Sequence, residues 1–434
     1  MKQKLSFLII LCLVTTLHVS AQQSYSLEEC ITFALEHRPD MEQTMIDEQI
    51  GHHEINASLS AWLPQITGSY SLVNNTQLQS TVFAGNVVQI GQKYNSNLSL
   101  RADQTLYSNE VLLASKAAKH SRRQLEQNIV SSKISTVVDV SKAFYDILLT
   151  REQLNILQGN IVRQQKQYND SRAQYDNGMV DKTDYQRASI TLANSRSAKK
   201  RTEESLKAKF AYLRQLMGLP MEEQFNLEYD TKQILESDIL LDTTQNLAIE
   251  SRIEYRQLQT DMELLKLNTS YYKMGLIPTI SAYANYSPQY FHDDFTSLYN
   301  NNYTTSSIGL TASIPIFTGN KRNQQIKIAK LQEERLDVTL EDAKRVISTE
   351  YQTALAGYKS DYYDMETLRS NADLAADVYK TIKLQYDEGI KTYLEVIVAE
   401  TELQTAQLNY LNAVFQLLSS KLDFQKSIGT IEIN

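Results

Sequence analysis

Along residues 347 to 386 the apolar positions recur alternately every four and three residues. Positions 347, 351, 354, 358, 361, 365, 368, 372, 375, 379, 382 and 386 hold Ile, Tyr, Ala, Tyr, Asp, Met, Leu, Ala, Ala, Tyr, Ile and Tyr, and only Asp361 interrupts the stripe. A mean period of 3.5 belongs to helices that pack lengthwise on other helices. The same frame stands 211 residues earlier, in Val140, Ala143, Ile147, Leu154, Leu157, Ile161, Tyr168 and Tyr175, diluted by Thr136, Thr150, Gln164 and Ser171. Leu408, Leu411, Phe415, Leu418 and Leu422 carry the spacing on a returning helix. Elsewhere the period falls to two, as in a strand with one apolar face. Ile66, Gly68, Tyr70 and Leu72 alternate with Thr67, Ser69 and Ser71, and Leu98, Leu100 and Ala102 answer them after a tip rich in Asn and Gln. A second pair runs through Ile280, Ala282, Ala284 and Tyr286, then Ile308, Leu310, Ala312, Ile314 and Ile316, around a tip from Tyr290 to Tyr303 rich in aromatics and Asn.

These elements form two copies of one plan. Ala61-Trp62-Leu63-Pro64-Gln65-Ile66 resembles Gly275-Leu276-Ile277-Pro278-Thr279-Ile280, and Glu36-His37-Arg38-Pro39-Asp40 resembles Glu250-Ser251-Arg252-Ile253-Glu254, both at a shift of 214. Leu106-Tyr107-Ser108 pairs with Ile316-Phe317-Thr318 at a shift of 210. Gln174-Tyr175-Asp176-Asn177-Gly178 pairs with Gln385-Tyr386-Asp387-Glu388-Gly389, and Met217-Gly218 with Ile428-Gly429, at a shift of 211. Matches in one order at nearly one shift identify a duplication. Each copy reads helix, strand pair, long helix, tight turn, helix. The first helix is expected from Leu27, capped by Ser26, to about Ala61. The expected division is a signal peptide over 1–21, a first repeat over 22–218 (strand pair about 64–107, turn 176–182), a linker over 219–242 at mid-height, and a second repeat over 243–434 (strand pair about 278–317, turn 387–393). The helix from about Glu110 to Tyr175 spans roughly 100 Å at about 1.5 Å per residue. The helices flanking it are each about half as long, so each copy builds one continuous and one spliced strut.

Lys2 and Lys4, the apolar run Leu5 to Leu17 and Val19-Ser20-Ala21 read as an export signal cleaved before Gln22. Removal takes Cys12 with it and leaves Cys30, expected as a small buried residue on a helix, so no intrachain disulfide is available. The 434 residues hold only 13 Gly and 6 Pro, in keeping with long uninterrupted elements, and the net charge of −8, with no long Lys/Arg run, argues against a nucleic-acid partner. No later stretch is apolar enough for a membrane helix. Nucleotide-binding, metalloprotease and hydrolase signatures are absent, the adjacent His52 and His53 point about 100° apart on a helix, and neither an enzyme nor a cofactor is expected.

An exported chain with two strand pairs poses a closure problem. Four strands cannot close a barrel, and open edges are not tolerated in lipid. Three chains supply about 12 strands, within the range of outer-membrane barrels and wide enough for a lumen. The expected fold is therefore mainly α with a membrane β-barrel: a trimer whose 12-stranded barrel stands on a long α-helical coiled-coil tube. The competing reading is a non-channel periplasmic coiled-coil scaffold with the strand pairs as caps. Strands of about ten alternating residues, flanked by aromatic tips, fit a bilayer better than a soluble cap.

The duplicated plan, Trp62-Leu63-Pro64 and Leu276-Ile277-Pro278, the strand exit Pro315-Ile316-Phe317-Thr318-Gly319 and the two Gly turns resemble the TolC-like outer-membrane efflux family over nearly all of the mature chain. Gly389-Ile390-Lys391-Thr392-Tyr393-Leu394-Glu395 resembles the family's helical-tip motif, a Gly followed six residues later by an acid, and Gly178 and Asp184 repeat that spacing. The resemblance implies a homotrimeric exit duct in the outer membrane of a Gram-negative bacterium. Its tips would meet a periplasmic adaptor and an inner-membrane transporter; a type I protein secretion system is the alternative setting. It further implies Glu395 as the acid of a cation-selective pore entrance, thinned because Val398 stands where a second acid is common. Tyr386 and Lys391 fall at positions that hold the entrance shut, and Gly178, Asp184 and Gly389 at the docking tips. The plainer readings are a seam tyrosine, a solvated lysine, and C-cap glycines followed by acids that suit a helix's first turn.

Overall fold

The computed structural model describes residues 23–228 and 247–433. The expected signal peptide and the larger part of the expected linker lie outside the described residues. The chain divides into two compact units, and each draws on both copies. One comprises Met1–Met45, Ile129–Glu254 and Ala343–Asn434; the other comprises Ile46–Asn128 and Tyr255–Asp342.

The helices follow from local signals. Helix α1 (Leu27–His37) opens with Ser26 and Glu29 in a reciprocal capping box. The expected single helix from Leu27 to Ala61 is in fact two, because Arg38 precedes Pro39 and adopts extended geometry at φ −62°, ψ 128°. Helix α2 (Pro39–Leu59) then starts with proline at its first position. Among the described residues, helices α3 (Asn109–Asp176), α4 (Lys182–Met217), α5 (Ile253–Lys273), α6 (Lys321–Asp387) and α7 (Tyr393–Ile428) follow. Arg252, the counterpart of Arg38, is extended in the same way at φ −65°, ψ 130°, with Ile253 in place of proline.

In the first unit the 3.5-residue stripe is core. Tyr358 and Met365 of α6 join Val140, Phe144 and Ile147 of α3 and Leu417, Leu418 and Phe424 of α7 in one buried cluster. Tyr358 stacks on Phe424 with ring centroids 6.0 Å apart. A short parallel pair, β1 (Gln23–Tyr25) with β6 (Phe225–Leu227), closes one side of this cluster; its three-residue strands are too short to show a period in the sequence. Cys30 is fully buried, as expected, and burial pushes its thiol up to about 12.

The second unit carries the sheet: β2 (Gln65–Asn74), β5 (Tyr94–Tyr107), β7 (Thr279–Ser287) and β9 (Thr305–Ser313) in that order, all antiparallel. A short β8 (Gln289–His292) pairs with the far end of β5. Leu100, Tyr286 and Ser306 stand in one row, and Ile66, Ala102, Ala284 and Ile308 in the next. One face thus collects Ile66, Tyr70, Leu72, Leu98, Leu100, Ile308 and Leu310, all uncovered. The other collects Thr67, Ser99, Arg101, Asp103, Asn285 and Ser307. There Arg101 makes a two-pronged bond to Asp103 at 2.7 and 2.8 Å and lies over Tyr283.

Two sequence expectations change here. The last strand stops at Ser313 instead of running to Ile316, because Pro315 has no N–H to offer a ladder. The tip expected to be polar contains a separate hairpin, β3 (Gln79–Phe83) with β4 (Asn86–Ile90). Among the described residues no helix is long and apolar enough to cross a membrane.

Candidate functional site: the paired helical turns

Helices α3 and α6 end alike. Gly178 N–H donates to Tyr175 O (2.9 Å) and Met179 N–H to Gln174 O (2.8 Å); Gly389 N–H donates to Tyr386 O (2.9 Å) and Ile390 N–H to Gln385 O (2.8 Å). Both are the six-to-one, five-to-two pattern that uses a left-handed residue to stop a helix. Gly178 and Gly389 supply it, with φ of 73° and 77°.

The following helices start at equivalent places with different chemistry. Asp181 caps α4 by accepting from Thr183 N–H at 3.0 Å, and Asp184 is the third helical residue. Thr392 caps α7, and Glu395 is its third residue. The Glu395 carboxylate accepts from Thr392 N–H and from the Thr392 hydroxyl, each at 2.9 Å, and from Lys391 Nζ at 2.6 Å. The Lys391 bond first, then the two from Thr392, hold this acid down at about 2, against an ordinary 4.5. Val398 stands exposed one turn on.

The two turns also meet. Tyr386 shares a hydrogen bond with Gln174 of the first turn. Burial, followed by the charges of Asp184, Asp387 and Asp170, pushes its hydroxyl up. Its ring lies 6.0 Å from that of Tyr393. Tyr393 is buried, shares a hydrogen bond with Ser171, and is likewise pushed up, by burial first and Glu400 second. Of the residues named from the sequence, Glu395 and Lys391 form one ion pair, and Tyr386 joins the turn that carries Gly178 to the turn that carries Gly389. Asp184 lies within electrostatic reach of Tyr386.

Behind the turns, Glu400 of α7 is buried with its Oε1 3.7 Å from Arg163 Nε of α3. Burial pushes its carboxyl up, and Arg163 and Gln164 only partly offset this.

Sequence reasoning also missed a pair of ion networks. Arg38 donates to Asp40 (2.9 Å) and Asp139 (3.1 Å). Arg252 donates to Glu254 and Glu350 (each 3.0 Å) and to Ser427 O (2.8 Å). Asp139 and Glu350 are themselves 211 residues apart, so both copies build the same arginine clamp. The match of Arg38 to Arg252 was the available signal; the acids on the long helices lie too far off in sequence to be paired with it.

The sequence profile of outer membrane efflux proteins matches residues 31–219 and 247–430. The chain belongs to the outer membrane efflux protein family. The break between the two matched segments falls between the two copies of the plan. The outer membrane protein TolC of Vibrio cholerae is 20% identical over 425 residues, 95% of this chain and 92% of that protein. The alkaline protease secretion protein AprF of Pseudomonas aeruginosa is 20% identical over 395 residues, 89% of this chain and 81% of that one. Among solved structures, the Campylobacter jejuni CmeC outer membrane channel superposes with a TM-score of 0.77 at 17% identity, covering 93% of this chain and 85% of that one. CusC superposes with a TM-score of 0.75 at 17% identity, covering 94% and 93%. The chain is thus an efflux channel of the outer membrane, built on the fold of these channels.

Proposed function

We propose that three copies of this chain close a barrel of about 12 strands in the outer membrane and continue as a helical tube into the periplasm. There the paired turns dock to an adaptor protein and an inner-membrane transporter. One observation carries this reading: the sheet β2-β5-β7-β9 has an unpaired strand at each edge and one face on which Ile66, Tyr70, Leu72, Leu98, Leu100, Ile308 and Leu310 lie uncovered. Unpaired edges and apolar surface on that scale are costly in water, and unpaired edges are costlier still in hydrocarbon. Joining β2 of one copy antiparallel to β9 of the next removes every edge and turns the apolar face to lipid and the Arg101–Asp103 face to the lumen. A scaffold confined to the periplasm leaves that apolar face uncovered. At the tips, Glu395 lines the pore entrance, Tyr386 and Lys391 hold it shut, and Gly178, Asp184 and Gly389 shape the docking surface. Native mass spectrometry in detergent tests the assembly, with trimers expected, and planar-bilayer conductance tests the pore. A stable monomer extracted by carbonate washing overturns the reading. A second setting, export of polypeptides, is favoured by the likeness to AprF, whose name assigns it to protease secretion.

A further inference from the structure

The hairpin β3–β4 presents apolar side chains on both faces. Its register pairs Val82 with Val87 on one face and places Phe83, Val88 and Ile90 on the other. Val82, Phe83 and Val87 are 69%, 75% and 73% exposed, and neither strand pairs with the main sheet. A two-residue turn, Ala84 at φ 48° and Gly85 at φ 84°, ties the strands tightly. The hairpin is thus a formed element and not a loose loop, yet its own chain leaves its apolar surface uncovered.

What covers it follows from level, charge and symmetry. Its base lies just past the ends of the membrane strands, where Asn75 N–H donates to Lys93 O and Asn75 Nδ2 to Gln92 O, at 2.7 and 2.9 Å. The aromatic pairs Tyr94–Phe295 and Tyr290–Tyr299 stand at that level, as rings do where a barrel leaves hydrocarbon. A segment beyond such a girdle stands clear of hydrocarbon, so lipid tails do not reach the hairpin. From Gln65 to Gln92 there is no Asp, Glu, Lys or Arg, so the hairpin offers no charged group to an anionic sugar or phosphate layer, and copies of it do not repel one another. Symmetry supplies two more hairpins at the same height. A cluster of three around the axis covers both faces of each, which docking against one flat surface does not.

We propose that the three β3–β4 hairpins converge over the outer mouth of the barrel as an apolar plug that parts during export; this rests on the trimeric reading above. Gly91, at φ 108° just before the base, gives the hairpin a position at which to swing.

The test uses cells displaying full-length Val87→Cys or Phe83→Cys and a short bis-maleimide. Buried Cys30 stays silent, so the parent protein is the blank. Chains linked in pairs are expected from either variant, and none from Asn302→Cys in the loop between β8 and β9. In a second arm, Val82→Asp with Val87→Asp puts six acids into the cluster. A bulky impermeant maleimide added from outside should then reach Thr311→Cys, on the polar face, several-fold faster than in the parent background. Intact trimers that give no linked pairs, or whose labelling rate is unchanged by the two acids, overturn the plug and leave the trimer standing. A parent protein that is monomeric overturns the trimeric reading, and the plug with it.

Discussion

Lys391 Nζ donates to Glu395 Oε1 across 2.6 Å, so the acid proposed for the pore entrance carries its own countercharge from the same chain. In a narrow threefold entrance, three unpaired acids would concentrate cations by focusing their field between low-dielectric walls. Three acids each paired to a lysine do so far more weakly. Lys391→Met should therefore raise cation selectivity above that of the parent, and Glu395→Gln should lower it while sparing the trimer, because glutamine can still reach back to the Thr392 N–H. Reversal potentials under a salt gradient measure both; a Lys391→Met channel no more cation-selective than the parent would show that the pair does not line the pore. The pH dependence has a definite sign. The folded carboxyl sits near 2, below its ordinary 4.5, so its pairing favours the folded tip above about pH 4.5 and is lost as pH falls towards 2. Selectivity due to Glu395 should accordingly persist at pH 4 in the parent and decline there in Lys391→Met.

The arginine clamps make a second, independent prediction. The Arg252 side chain is only 5% exposed, while Glu254 and Glu350 are about half exposed. Burial alone pushes the Glu254 carboxyl up; the bond and charge of Arg252 more than offset this and leave it below its ordinary value. Arg252→Ala strands two acids and the Ser427 carbonyl. Breaking a fully buried pair costs several kcal/mol, but with the acids half in water the expected loss is about 2 kcal/mol. Arg38→Ala, in the more open copy of the clamp, should cost roughly 1 kcal/mol. Arg252→Lys should not restore the parent midpoint, because one ammonium cannot replace a fork with three partners. Thermal unfolding midpoints of the purified trimers rank the three. Since Glu254 is held below its usual range, the penalty of Arg252→Ala should shrink as pH falls below about 4.5.

What the sequence made legible was whatever repeats at a fixed period or a fixed shift. The 3.5-residue stripe marked the long helices to within a residue or so of Asn109–Asp176, and the alternation at Ile66–Leu72 and Ile308–Ala312 marked the sheet and its apolar face. Contacts that depend on where distant segments meet were not legible. The β1–β6 pair joins residues about 200 apart with only three positions each, too few to show a period. The hairpin β3–β4 was hidden in a tip whose Asn and Gln content reads as loop, although Val82, Phe83, Val87 and Val88 sit within it. At the turns, the glycines were legible because a left-handed residue was required. The ion pair between Lys391 and Glu395 was not, because Lys391 precedes the cap of α7, where four-residue spacing alone does not bring two side chains together.

Two glycines that end the returning helices separate conformational strain from crowding. Gly218 and Gly429 close α4 and α7 with the same bonding pattern and nearly equal φ, 74° and 75°. A Cβ on Gly429 would meet Ser251 Oγ at 3.3 Å, a contact a side chain can relax. A Cβ on Gly218 would lie 2.1 Å from the His37 carbonyl oxygen and 2.7 Å from its carbon. Gly429→Ala should thus cost about 1 kcal/mol, the usual penalty of a left-handed alanine. Gly218→Ala adds a backbone clash that no rotamer relieves, and should cost at least about 2 kcal/mol more. Equal shifts in unfolding midpoint for the two variants would contradict the close approach of α1 to the end of α4.

The two faces of the sheet give the sharpest test of its orientation, because adjacent residues of one strand must respond oppositely. Ile308 is 90% exposed in the isolated chain and stands in the apolar row with Ala284, Ala102 and Ile66. Its neighbour Ser307 stands in the polar row with Asn285, Arg101 and Thr67. In water both positions would accept arginine at almost no cost. In a bilayer, an arginine on the lipid face near mid-depth costs roughly 2–4 kcal/mol, while the lumen face tolerates it. Ile308→Arg should therefore sharply reduce the amount of trimer recovered from the outer membrane and lower the denaturant midpoint of the protein that does insert. Ser307→Arg should leave both near the parent values and act on the pore instead, shifting conductance and ion preference by adding positive charge to the row that holds Arg101. Quantitative blots of outer-membrane fractions and single-channel recordings read the two outcomes. If Ile308→Arg inserts normally and Ser307→Arg does not, the apolar row faces inward and the barrel is built the other way round. If both insert normally, the sheet does not meet lipid at all.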